Sequence, residues 1–167
     1  MNVENLWYST EKLDGSYVSA PFDEEMLKSI ENELGYKLPA SYVNLMKQKN
    51  GGALKRCMFE ADYDFYVEVH AIYGIGREKS DSLCGSNGSK FWIEEWEYPN
   101  IGVAIADCPS AGHEMIFLDY RECGPNCENG EPKVVYIDQE SDYNIVVLAN
   151  TFEEFINGLM TEKEAGI

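Results

Sequence analysis

Apolar positions recur along the chain with two different periods, and each period specifies an element. Asp23 precedes a stretch in which Met26, Leu27, Ile30 and Leu34 fall at three- and four-residue steps, the spacing that gathers side chains on one helical face. Gly35 follows where a helix needs a left-handed residue to close. A second helix opens near Pro39, whose missing N–H would have had no intrahelical partner. It presents Tyr42, Leu45 and Met46 inward and stops at Asn50-Gly51-Gly52. From Phe59 to Phe65 the period becomes two, with Phe59, Ala61, Tyr63 and Phe65 on one side and Glu60, Asp62 and Asp64 on the other, so a half-buried strand is expected. Val67, Val69 and Ala71 extend the same sheet, and Phe91 to Trp96 fit a short helical turn after the polar loop 80–89.

The later chain consists of β-rich runs separated by Gly, Pro and Asn: residues 101–107, 115–120, 134–138 and 144–149. Their short connections favour antiparallel pairing. Thr151 then opens a last helix, with Glu154 placed to complete a capping box and Phe152, Phe155, Ile156 and Leu159 forming its apolar stripe. Helices, sheet, helix in that order define an α+β architecture.

With 167 residues, 44% of them hydrophobic, the chain fits one domain, residues 1–167, that can fold around one core without staples. The apolar stretches Ile101 to Ala106 and Ile145 to Ala149 are far short of the roughly 20 residues that cross a bilayer, and the first twelve residues lack a signal-peptide pattern. A cytoplasmic protein without a membrane partner is the expectation. Five cysteines without CxxC spacing disfavour a disulfide framework and read as inert thiols.

Charge changes the picture most. Thirteen basic against thirty acidic residues give a net charge of −17, which repels nucleic acid and anionic lipid and would steer a basic protein toward this surface. The alternative is that the charge serves solubility alone.

Four segments, LGYKLPASYVNLMKQKNGG (34–52), IGVAIADCPSAGHEMIFLDY (101–120), GEPKVVYIDQE (130–140) and LANTFEEFINGL (148–159), together resemble the SUKH superfamily, in its Smi/Knr cell-wall-regulator branch. The resemblance runs through nearly the whole chain in the family's order. It implies a central mixed, largely antiparallel sheet with helices packed around it, and a non-enzymatic protein-binding module. Bacterial members of that family look like immunity proteins that neutralise toxins, and fungal members act as regulatory scaffolds. Two departures affect loops: an insertion around Gly124 to Gly130, and Ala111 where a second glycine is common.

Candidate chemistry is sparse. Cys108, His113, Cys123 and Cys127 have zinc-type ligand atoms without the spacing of a known site. A Cys/His nucleophile oriented by Asp107 or Asp119 is conceivable on the same residues, but His113 reads better as a polar residue entering a strand. Asp62 and Asp64 lack the glycine and distal glutamate of a calcium loop, and Gly74-Ile75-Gly76 lacks the rest of a dinucleotide fingerprint. No catalytic group, metal or cofactor is expected. The partner site is placed instead on Glu94, Glu95, Trp96 and Glu97, where an aromatic anchor stands among carboxylates as a basic protein surface would require; the competing reading, that Trp92 and Trp96 form one core-facing stripe, still leaves the glutamates on the exposed face. Asp107, His113, Asp119 and Tyr120 complete the set, because residues 113–142 hold eight acidic and two basic residues that could frame a polar cleft. The expected partner is a toxin domain with a basic face; the alternative is a housekeeping partner of a regulatory scaffold.

Overall fold

A computed structural model describes all residues, 1–167. Three helices lead the chain: α1 (Glu11–Tyr17), α2 (Glu24–Leu34) and α3 (Ala40–Gln48). Strands β1 (Gly52–Ala53), β4 (Ala71–Ile72), β5 (Gly102–Asp107), β6 (Glu114–Asp119), β7 (Lys133–Asp138) and β8 (Asn144–Ala149) form a six-stranded sheet in the order β1-β4-β5-β6-β7-β8. Strands β2 (Met58–Asp62) and β3 (Phe65–Glu68) form a separate hairpin. Helix α4 (Ser89–Glu94) precedes β5, and α5 (Phe152–Gly158) and α6 (Glu162–Ala165) close the chain.

The architecture is α+β, as the element order predicts. Every ladder is antiparallel, so the mixed sheet implied by the resemblance is corrected to an antiparallel one. The Phe59–Phe65 strand is also corrected. Tyr63 and Asp64 form the turn between β2 and β3, with Asp64 left-handed at φ 58°, and the Asp62 carboxylate accepts from the Tyr63 N–H at 2.7 Å. The local Asp–backbone bond outcompetes the period-two pattern there, and Tyr63 ends up 87% exposed. Val67 belongs to the hairpin and Ala71 to the main sheet, so the chain changes sheets between them.

The helix boundaries follow local chemistry. Asp23 caps α2 through Met26 N at 2.8 Å and Gly35 closes it at φ 82°. Thr151 caps α5 through Glu154 N, but the Glu154 carboxylate accepts from Asn150 N rather than from the cap residue, so the expected box is only half formed. Helices α1 and α6 escape the hydrophobic pattern because each is short; Thr10 and Thr161 cap them.

Both faces of the sheet are covered. Tyr98 stacks on Phe117 at 5.6 Å between ring centroids, while Phe65 of the hairpin meets Tyr136 edge-on at 6.1 Å. Phe117 pairs with Val135 and Ile116 with Tyr136, so these contacts lie on opposite faces. The hairpin is joined to α5 by Phe59 against Phe155, and α5 to α3 by Phe152 against Tyr42. One continuous buried cluster extends from Leu6 to Leu159.

Two polar residues tie the layers. Asn50, buried at the end of α3, donates from Nδ2 to the carbonyls of Ala20 (2.8 Å) and Ile75 (3.0 Å) and accepts from Ile75 N at Oδ1 (2.7 Å). Gly51, at φ 94°, is required beside it, since a Cβ would stand 2.6 Å from the Tyr17 carbonyl. Arg56 is only 5% exposed and no carboxylate ion-pairs it; its guanidinium donates to the carbonyls of Asn2, Glu4, Ile156 and Leu159 at 2.6–3.1 Å. These bonds fasten the first residues to the end of α5. Arg56→Ala removes all four of these bonds, leaving Ile156 only the 3.3 Å bond from Leu159 N, and is expected to cost about 3 kcal/mol or more in denaturant unfolding, with Arg56→Lys intermediate because it keeps the charge but loses the fork. Equal stability of all three proteins would show that the tie is dispensable.

Candidate functional site

Helix α4 is short and held from below. Ser89 Oγ accepts from Ala104 N at 2.9 Å, pinning the helix start to β5. One turn on, the Trp92 indole N–H reaches the Asn87 carbonyl at 2.8 Å and the Tyr73 hydroxyl at 3.2 Å, so Trp92 is a core residue with its polar atom satisfied. The helix ends at Glu94, and Glu97 turns the chain at φ 61°. Trp96 therefore lies beyond the last turn, half-buried, its ring 5.2 Å from Trp92. The two tryptophans do form one stripe, yet only the first is interior.

The loop between β5 and β6 covers the stripe. Gly112 sits at φ 92°, where a Cβ would come within 2.5 Å of Trp92 and 3.2 Å of Trp96. Ala111, the departure from the family pattern, is exposed and left-handed at φ 55°. His113 then enters β6 with its ring 5.5 Å from Trp96, edge to face. His113 Nδ1 lies 2.9 Å from Gln139 Oε1 and 3.6 Å from Glu140 Oε1. Glu94, Glu95 and Glu97 are exposed, and no basic side chain of the protein ion-pairs with them. The result is an aromatic pair, Trp96 and His113, rimmed by Glu94, Glu95, Glu97 and Glu140. A cavity of about 630 Å³ lies elsewhere, between Val18–Phe22, Met26 and Ile75–Lys79.

The other residues assigned from sequence do not join it. Asp119 and Tyr120 stand at the far end of β6, about 20 Å from His113 at the strand's rise per residue. Burial would raise the Asp119 pKa, but the Arg121 guanidinium (Nε to Oδ1 3.0 Å, Nη2 to Oδ2 2.8 Å) and backbone N–H outweigh it and hold the carboxyl below its ordinary range. Tyr120 is buried, its hydroxyl donating to the Lys37 carbonyl at 2.7 Å. These two therefore form a separate corner, where Tyr120 and Arg121 line a cavity with Leu34, Tyr36, Ile101 and Pro125, rather than one cleft shared with His113. Asp107 is interior as well: it accepts from the Tyr17 hydroxyl at 2.6 Å and from Ala71 N at 3.1 Å. Cys108 lies at the His113 end of β6 and Cys123 and Cys127 beyond its other end, so the four zinc-type residues are divided and do not converge. Burial raises the pKa of all three thiols. Sequence spacing also could not reveal Cys57, Glu68 and Glu162, whose ligand-type atoms lie within 4.8 Å of one another at the surface with both carboxylates exposed.

Fold and site together define an antiparallel α+β protein with an acidic surface around the half-buried Trp96. The chain belongs to the SMI1 / KNR4 family (SUKH-1), whose family model matches residues 21–158. No curated protein matches the chain. No helix is long and apolar enough to cross a membrane. Residues 1–20 lie outside the matched range, but Leu6 is fully buried and Tyr17 holds Asp107, so they are part of the same core.

Burial pushes the Asp107 carboxyl up to about 6, with the Tyr17 hydrogen bond and the charge of His70 acting the other way. The sign follows from proton counts. Between about pH 4 and pH 6 the unfolded chain has released this proton while the folded chain retains it, so Asp107 lowers stability as pH rises through that window. Asp107→Asn is expected to remove this component, of order 2 kcal/mol. Wild-type stability minus variant stability, measured in denaturant at pH 4.5 and 7, should fall with pH; a difference that is flat or rises would contradict the assignment.

Proposed function

We propose that this chain is an immunity protein that binds a toxin domain through the Trp96–His113 face and blocks it without chemistry of its own, inside the cytoplasm. The observation that supports this is the half-buried Trp96 against His113, surrounded by carboxylates with which no lysine or arginine of the protein ion-pairs. A basic partner would supply the missing countercharge, and the indole would supply the apolar anchor. Membership of the family is consistent with such a binding role.

A charge of −17 attracts a basic face over distances near the Debye length, about 8 Å at physiological ionic strength. The association rate with the toxin should therefore fall as salt rises, while dissociation changes less. Glu94→Gln and Glu97→Gln are expected mainly to slow association. Trp96→Ala should speed dissociation and cost about 2 kcal/mol of affinity, checked by surface plasmon resonance on a variant whose melting temperature is unchanged. An acidic partner, or a rate indifferent to salt, would overturn electrostatic capture. A gene neighbourhood without a toxin reading frame would return the chain to the regulatory-scaffold reading. The same proposal requires no metal, so chelation should leave the melting temperature unchanged; stoichiometric zinc in the purified protein would overturn that part.

A further inference from the structure

The hydrogen-bonded sheet ends at β8, which has a ladder with β7 on one side and none on the other; β2 and α5 pack against it without a ladder. An antiparallel neighbour uses only alternate N–H and C=O groups of a strand, and the rest point outward. Residues 144–149 make no backbone or side-chain hydrogen bond outside their ladder with β7. Natural edge strands are usually blunted by lysine, proline, brevity or a covering segment. Strand β8 is Asn-Ile-Val-Val-Leu-Ala, six residues with no charge and no proline. Ile145, Val146 and Leu148 are partly exposed and Val147 is 49% exposed. Val147 pairs with Val135, on the Tyr98–Phe117 face of the sheet; on the other face Phe65, 44% exposed, rests on Tyr136 beside Val146. Apolar surface thus flanks the edge on both faces.

Charge identifies what fits there. No lysine or arginine occurs between Lys133 and Lys163, whereas Asp138, Glu140 and Asp142 precede the strand and Glu153 and Glu154 follow it. We propose that β8 is a docking strand that takes up an extended segment of a partner protein as a seventh strand, apolar in its middle and flanked by lysine or arginine. A second copy fits poorly. Antiparallel pairing of two β8 strands sets the Asp142 end of one against the Glu153 end of the other, acid facing acid. The proposal does not depend on the Trp96 face being the partner site.

The test uses the full chain and an N-acetylated, C-amidated peptide with Thr-Val-Thr-Val-Thr between two Lys-Lys ends. Isothermal titration calorimetry measures affinity and amide hydrogen exchange locates the contact. The expected result is binding with slowed exchange confined to residues 144–149, about tenfold weaker for the same peptide with Glu-Glu ends and about tenfold weaker for Val147→Lys. N-methylation of alternate peptide amides should abolish it, which tests strand pairing without altering the protein. Trp96→Ala should leave it unchanged, so this proposal and the Trp96 reading fail separately. Absence of protection in β8, equal affinity for Lys- and Glu-flanked peptides, or protection of β8 by self-association without peptide would each overturn it.

Discussion

The structure depends on burying both faces of one antiparallel sheet. Antiparallel sheets often leave one face to water and then alternate apolar with polar residues, but β5, β6 and β7 are buried along almost their whole length. Each face therefore needs its own cover: α4 with Trp92 and Tyr98 on one, the β2–β3 hairpin with α3 and α5 on the other. The requirement explains why so much of the chain outside the sheet consists of short elements with a single large aromatic, each placed by a specific polar tie. Ser89 on Ala104 N, Asn50 on Ile75 and Arg56 on four carbonyls are those ties. They satisfy backbone groups that the covering layers would otherwise bury without partners, and unpaired groups cost more than paired ones return.

Elements whose formation is decided locally could be read from the sequence. Helix α2 has its cap, its stripe and its closing glycine within one window, and the four late strands are continuous apolar runs bounded by turn residues. Elements decided by competition could not. In Asp62-Tyr63-Asp64 the alternation predicts strand, and only the side-chain bond of Asp62 reveals the turn. The site divides similarly. Glu94, Glu95, Trp96 and Glu97 are contiguous, so their grouping needs no long-range information. His113 joins them only because Gly112 lets the loop settle on the indoles, and Glu140 only because its turn lies beside the start of β6. Asp119 and Tyr120 share an acidic stretch with His113, but a strand of six residues separates its ends by its own length. Sequence proximity there is misleading because an extended chain is the least compact way to connect two points.

Buried and exposed carboxylates consequently do different work. Asp119, Asp107 and Glu31 are held by protein donors, Arg121, Tyr17 and the Leu38 N–H, and organise the interior. Most of the thirty acids lie outside, where their field is opposed by only thirteen bases. Isolated surface charges contribute little to stability, so most of these acids do not hold the fold together.

The turn between β7 and β8 connects the two surfaces. Asp142 and Tyr143 are consecutive non-glycine residues in the left-handed region, at φ 57° and 58°, where each costs about 1–2 kcal/mol relative to ordinary backbone. Aspartate tolerates that region through local hydrogen bonding; tyrosine has no such excuse. Tyr143 is retained there by contacts that glycine could not make: its hydroxyl donates to the Trp96 carbonyl at 2.6 Å and its ring meets Tyr98 edge-on at 5.4 Å. A hydrogen bond of about 1 kcal/mol and an aromatic pair of similar size offset the strain. The same contacts fix the backbone of Trp96 to the residue that launches β8. The aromatic acidic face and the open strand are therefore positioned by one and the same turn.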